Sequence, residues 1–163
     1  MTTQNRLATS ALAYARMGFH VFPCVPNAKN PATAHGFHDA SMDLAKIEAF
    51  WTQNPNFNIG IRTGVGPIGK MLIVIDVDPR NGGDSTLREL QEKHGFLPDT
   101  ARVITGSRDG GKHYYFWCPP SLTLKSKLGP GIDIQAQGKY VIAPPSIHPI
   151  TGFSYEWEGS QND

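Results

Sequence analysis

The side chains best suited to chemistry are acids placed at the end of an apolar run. Along Met71 to Asp78 (MLIVIDVD) extended-chain alternation puts Leu72, Val74, Asp76 and Asp78 on one face and Met71, Ile73, Ile75 and Val77 on the other. The two carboxylates are then about 6.6 Å apart at Cα by strand rise, a separation from which both can converge on bound cations. Two like charges at the end of a core strand are costly to desolvate without a counterion. A solvated strand end is the structural alternative.

A second group follows in GSRDGGKHYYF, where a glycine-rich turn with Ser107, Arg108, Gly111 and Lys112 runs into a strand opening at His113. Backbone N–H groups of such a turn can face phosphate oxygens, and the neighbouring cations add charge-assisted contacts, so a triphosphate would fit. Alternation places His113, Tyr115 and Trp117 on one face, which the aspartates can share. In GIDIQAQGKYVIAPPS, Asp133 and Gln135 face one way and Ile132 and Ile134 the other, adding a third acid on a strand otherwise suited to a core. Singly, His113 reads as an ordinary strand histidine and Asp133 as a turn or cap carboxylate. Three acids and one histidine on strands of one sheet make a stronger case together.

Other candidates carry less. His35 and His38 have a possible metal spacing but lie in a proline-rich loop without a third ligand, and read as surface histidines. Ser146 and His148 lack a matched acid and a nucleophile elbow. Gly64 to Lys70 (GVGPIGK) lacks the spacing and the Ser or Thr of a phosphate-binding loop, and a strand follows where that loop needs a helix, so it reads as a turn. Cys24 and Cys118 are the only cysteines, too few for a structural zinc site, and are expected to be buried thiols.

The elements that must position these residues follow from periodicity and breakers. Leu7, Ala8, Ala11, Leu12, Tyr14 and Ala15 repeat at helical spacing, predicting a helix over 5–17 with Gly18 as its stop. A short strand is expected over Phe19 to Phe22, before Pro23, Pro26 and Pro31 impose a loop carrying Lys29. Ser41 is expected to cap a second helix with Leu44, Ile47, Phe50 and Trp51 inward, ended by Pro55. Asn58 to Thr63 reads as a strand, Gly64 to Gly69 as a turn, and 71–78 as the central strand. Asp84 or Ser85 should cap a helix through Leu87 and Leu90 to Gly95. Strands are then expected at Arg102 to Thr105, at HYYFWC, at the pair GIDIQ and KYVIA, and at FSYEW, followed by a polar tail.

The chain has 163 residues, 39% of them apolar and 18% charged, with 17 Gly and 13 Pro, which suits one domain with many turns and excludes a long coiled coil. No apolar run is long enough to span a membrane, and the N-terminus lacks the uninterrupted apolar stretch of a signal peptide, so a soluble, cytoplasmic protein is expected. A net charge of +1 argues against nucleic-acid binding by bulk charge alone. The charge is uneven: residues 101–140 hold six basic and two acidic side chains, including Lys139.

The ordered set VIDVD, TGSRDGGKHYYF and GIDIQAQGKYVIAPPS resembles the catalytic core of the bifunctional primase-polymerase (prim-pol) domain of the archaeo-eukaryotic primase superfamily. Its acid-x-acid, small-x-His and hydrophobic-Asp motifs fall on Asp76 with Asp78, on Gly111-Lys112-His113 and on Ile132-Asp133. AYARMGFHVFPCVPNAKNP, NIGIRTG and APPSIHPITGFSYEW extend the resemblance over nearly the whole chain. One departure is the turn before the histidine, longer than the family's compact Ser-Gly-Gly form, with Arg108 and Asp109 inserted. No zinc-binding stem is present in the sequence.

The resemblance implies an α/β (α+β) fold, an RRM-like antiparallel catalytic sheet of about 66–160 packed on an N-terminal αβ unit of about 1–65, in a single catalytic domain excised from a longer replication protein. It implies template-directed nucleotidyl transfer from dNTPs or NTPs to a primer 3′-hydroxyl or an initiating nucleotide on a DNA template, in phage or plasmid replication, with a helicase as domain or partner. Asp76, Asp78 and Asp133 would hold two Mg²⁺ or Mn²⁺ ions, with no zinc. His113, Lys112 and Ser107 would hold the triphosphate, with Arg108, Gly111, Lys29, Arg62 and Lys139 as further phosphate contacts. Two rival readings use the same residues: a metal-dependent nuclease with His113 as base, and a non-catalytic RRM-like module stacking bases on Tyr115 and Trp117. A nucleotide-sugar transferase would need a larger α/β domain.

Overall fold

In the computed structural model, which describes residues 3–66 and 69–159, the apolar stripe of the first helix is its buried face. Leu7, Ala11, Tyr14 and Ala15 of α1 (Thr3–Arg16) are all buried, and Gly18 at φ +98° turns the chain out of the helix. β1 (His20–Cys24) follows and contains Pro23, which was expected to break it. The proline is tolerated because β1 is the edge of a three-stranded antiparallel sheet in the order β1, β2 (Asn58–Arg62), β9 (Tyr140–Ala143).

α2 (Leu44–Gln53) packs against α1, burying Ile47 and Trp51 four residues apart. Its cap is Asp43, whose carboxylate accepts the Ala45 and Lys46 N–H groups, and not Ser41, whose hydroxyl accepts the Asp43 N–H instead. Leu44, expected inward, is exposed: it shares the face of Ile47 and Trp51 but stands at the first position of the helix, a turn before the buried contacts.

The larger sheet comprises β3 (Gly64–Val65), β4 (Met71–Val77), β5 (Arg102–Ile104), β6 (Lys112–Cys118), β7 (Lys127–Gly129), β8 (Ile132–Gln135) and β10 (Glu156–Trp157). Its order is β10-β5-β6-β4-β8-β7, antiparallel throughout, with β3 also on β4. The two strands GIDIQ and KYVIA are therefore not a pair. β8 lies on β4, whereas β9 lies on β2 in the smaller sheet, and the crossing at 136–139 is held by Thr63, whose N–H donates to Lys139 O at 3.0 Å and whose hydroxyl donates to Ala136 O at 2.5 Å. The physical cause is β2, whose Asn58–Ile61 are all buried and which is paired on both edges. The smaller sheet thus draws its third strand from beyond residue 66.

β4 is central, and both its faces are covered. Leu72 and Val74 join Val103, Tyr115 and the α1, α2, β1 and β2 side chains in the main core. Met71 and Ile73 pack with Ile134 on the other side, and Ile75 and Val77 pack with Ile132, Leu87, Leu90 and Leu97. α3 (Gly83–His94) begins after Gly82, which replaces the expected Asp84 or Ser85 as cap. The last strand is shorter than expected, with Ser154 bridged to Ile147 and only Glu156–Trp157 in the sheet. Cys24 is buried but Cys118 only half-buried. Pro67 of the expected turn and 160–163 of the expected tail lie outside the described residues. No helix among the described residues is long and apolar enough to cross a membrane.

Candidate active site

At the C-terminal end of β4 the register sets Asp76 directly between two partners, His113 on β6 and Asp133 on β8. Cross-strand neighbours lie on the same face, so the three residues continue, in polar form, the row that Val74 and Tyr115 begin in the main core. The site therefore opens where the face between the two sheets stops being apolar. His113 is buried, and its Nε2 lies 3.5 Å from Asp76 Oδ1. Burial works against ionisation of Asp76, but the hydrogen bond from His113, the charges of His113 and Lys29, and the Gln135 amide outweigh it and hold the carboxyl below the usual aspartate range.

Asp78 lies just past the strand and caps the 3-10 turn Pro79–Asn81, accepting the Arg80 N–H at 3.0 Å and the Asn81 side-chain amide at 2.8 Å. Its backbone is fixed by glycines. Its N–H donates to Gly131 O at 2.8 Å and its C=O accepts from Gly83 N at 2.9 Å. A Cβ on Gly131, at φ +76°, would lie 2.3 Å from Gly83 N, and one on Gly83 would lie 2.4 Å from Gly131 O.

The cleft these acids enter is lined by Lys29, Asp76, Asp78, Arg80, Thr105, Ser107, Gly111, His113, His148 and Tyr155, together with the end of β4. It combines carboxylates with cations and neutral donors. His148 is buried, and its Nδ1 accepts the Ile150 N–H at 3.2 Å and the Thr151 N–H at 3.4 Å. Nδ1 being the acceptor, the proton of the neutral ring sits on Nε2. Burial, then the Lys29 and Arg80 charges, lower its pKa against the opposing charge of Asp109, which favours that neutral form. The Tyr155 ring lies between the two histidines, 6.3 Å from His113 and 5.9 Å from His148. Burial, then the Asp76 charge, push its phenol far up, so it stays protonated.

Of the expected phosphate contacts, Lys29, Ser107, Gly111 and His113 meet at this cleft and the others do not. Lys112 faces away from His113 by strand alternation, with Nζ 2.9 Å from Glu158 Oε1. Arg108 turns outward and stacks 4.4 Å from the Phe153 ring centroid. Arg62 pairs with Tyr140 and His20 in the smaller sheet, and Lys139 lines a separate groove with Met71, Leu122 and Ile134. Asp133 is exposed beside Asp76 in register. Tyr115, the proposed base-stacking residue of the binding-module reading, is buried in the main core, while Trp117 stacks on Phe19 at 5.4 Å.

Sequence reasoning missed Arg80, Tyr155, Thr105 and Asp109, and set His148 aside. Arg80 follows Asp78 by two residues and Tyr155 lies in the closing segment. Neither position carries a periodic signal, and both depend on the fold for their placement.

The acid set consists of hard oxygen donors, which suits Mg²⁺ or Mn²⁺. Asp76 and Asp78 line one cleft, and Asp133 stands next to Asp76. Among the described residues no three His, Cys, Asp or Glu side chains are drawn together as a ready ligand set, with Asp78 turned to Arg80 and Asn81.

Fold and site together define an α+β protein with an acid–histidine row on an antiparallel sheet, facing a rim of cations suited to phosphate. The family model described as bifunctional DNA primase/polymerase, N-terminal, matches residues 11–163, and the chain belongs to that family. No curated protein matches it. The family implies a primase/polymerase type of nucleotidyl transfer, with nucleic acid and nucleotide as substrates.

Proposed function

We propose that this cleft carries out template-directed nucleotidyl transfer, in which a primer 3′-hydroxyl attacks the α-phosphorus of an incoming nucleotide and pyrophosphate leaves. The observation that carries the reading is the His113–Asp76–Asp133 register across three adjacent strands, with Asp78 pinned at the strand end. Asp76, Asp78 and Asp133 would hold Mg²⁺ or Mn²⁺. Bound there, such ions supply a lowered pKa at the attacking hydroxyl and neutralise charge on the leaving group. Lys29, Arg80 and His148 line the same space, and the two cations with the Nε2–H of His148 would bind the triphosphate oxygens. His113 holds Asp76 ionised and oriented, and Tyr155 lines the cleft next to both histidines. Phage or plasmid replication alongside a helicase is the setting this reading proposes.

The test is extension of a labelled primer on a DNA template with dNTPs and Mn²⁺ or Mg²⁺, with Asp76→Ala, Asp78→Ala as control. Template-dependent extension that the double variant loses at a temperature where its melt shows it folded is the expected outcome. Primer shortening without nucleotides would replace this reading with a nuclease.

A further inference from the structure

The turn between β5 and β6 contains an anion site that already holds an anion of the chain's own. The Asp109 carboxylate accepts three kinds of contact that a phosphate would seek there. The Ser107 hydroxyl donates to Oδ1, the Gly111 N–H donates to Oδ1 at 3.3 Å, and Arg80 Nε lies 2.7 Å from Oδ2. Ser107, Gly111 and Arg80 all line the cleft with Asp76 and His113. Burial opposes the charge of Asp109, but Ser107, Arg80 and the Gly111 N–H outweigh it, so the group is an anion at neutral pH.

We propose that Asp109 is an internal competitor of the nucleotide: its carboxylate occupies the Ser107–Gly111–Arg80 site and must swing out before a triphosphate can use those donors. The inference rests on the reading of this cleft as a triphosphate site and adds to it a residue that sets nucleotide affinity. The surroundings permit the movement. Gly110, at φ +81°, has no heavy atom within 4 Å of where its Cβ would stand, so the backbone beside Asp109 faces open space. Arg108 is anchored outside the cleft on Phe153 and the Gly111 carbonyl accepts the Thr105 N–H at 2.9 Å, which leaves Asp109 and Gly110 as the piece that moves. Arg80 is also shared, lying 3.6 Å from Asp78 Oδ1, so losing Asp109 does not leave its charge unopposed. When the competent state is only a fraction of the population, apparent affinity falls by that fraction.

The measurement is calorimetric titration of inorganic triphosphate with Mg²⁺ into the parent chain, Asp109→Asn and Asp109→Gly, with thermal melts of each. The asparagine keeps an acceptor for Ser107 and Gly111 but loses the charge, and the glycine variant guards against a turn that needs the side chain. Binding roughly fivefold or more tighter in either folded variant, reversed by adding Arg80→Met, is expected. Affinity equal to or weaker than the parent's in both folded variants would overturn the inference and leave the triphosphate reading standing. Absence of binding in the parent and both variants would overturn that reading and the inference with it.

Discussion

Lys112 and Glu158 show how one side chain's partner decides its role. Glu158 Oε1 is 2.9 Å from Lys112 Nζ and its Oε2 is 2.8 Å from Arg102 Nε, so one carboxylate links β5, β6 and the end of β10. The hydrogen bond from Lys112 does most to lower the Glu158 pKa; burial opposes it, and the Lys112 and Arg102 charges reinforce it. Held this way, Lys112 is a structural cation. Lys112→Met is expected to leave the nucleotide KM within about twofold while costing about 0.5–1 kcal/mol of stability, the size of a partly exposed ion pair. A tenfold rise in KM with an unchanged melt would show that the lysine leaves Glu158 and reaches phosphate. The sequence put Lys112 beside the triphosphate because it precedes His113. Strand alternation sends neighbours to opposite faces, and a motif spacing does not say which face has the cleft. Asp76, Asp78, His113 and Asp133 were legible because each interrupts an apolar strand pattern. Arg80 and Tyr155 interrupt none.

Among the elements, the join between β4 and α3 governs where Asp78 points. Gly83 and Gly131 approach so closely that neither tolerates a Cβ without displacing the other's backbone or that of Asp78. Gly131→Ala adds a positive φ to that clash. It is expected to lower stability by about 1–3 kcal/mol, as overpacking does, and to depress extension beyond what the melt explains, because Asp78 moves with the contact. Full activity at a temperature where the variant is folded would show that the glycine pair does not position Asp78. Strong periodicity made α1, β4 and β6 readable in advance. The pairing of β8 and β9 was not, because chain neighbours with similar apolar patterns look like a hairpin, and only the need of β2 for a second partner sends β9 to the other sheet. Pro23 misled for a related reason: whether a proline breaks a strand depends on whether the strand is an edge.

Across the whole molecule, the buried titratable groups predict a domed pH profile of stability with its arms set by different residues. Burial, then the Arg62 charge, lower the His20 pKa, and His148 is lowered by burial with Lys29 and Arg80. Native values below the unfolded one of about 6.5 mean that the unfolded chain takes up protons first. Stability is therefore full above about pH 6.5 and declines as pH falls toward the native values. Asp76 and Glu158, also lowered, add a second decline that begins near pH 4. On the alkaline side burial raises Tyr14 to about 12 and Tyr155 further, so stability is held to about pH 10 and lost above it as unfolded phenols ionise. The first acid arm belongs to two histidines and is separable. Melts of a His20→Gln, His148→Gln variant between pH 7 and 5 are expected to stay flatter than the parent's, while the decline below pH 4 persists. Parallel curves for the two proteins over that interval would assign the first arm to other groups, and would mean that His148 does not enter the fold as the neutral donor its Nδ1 contacts require.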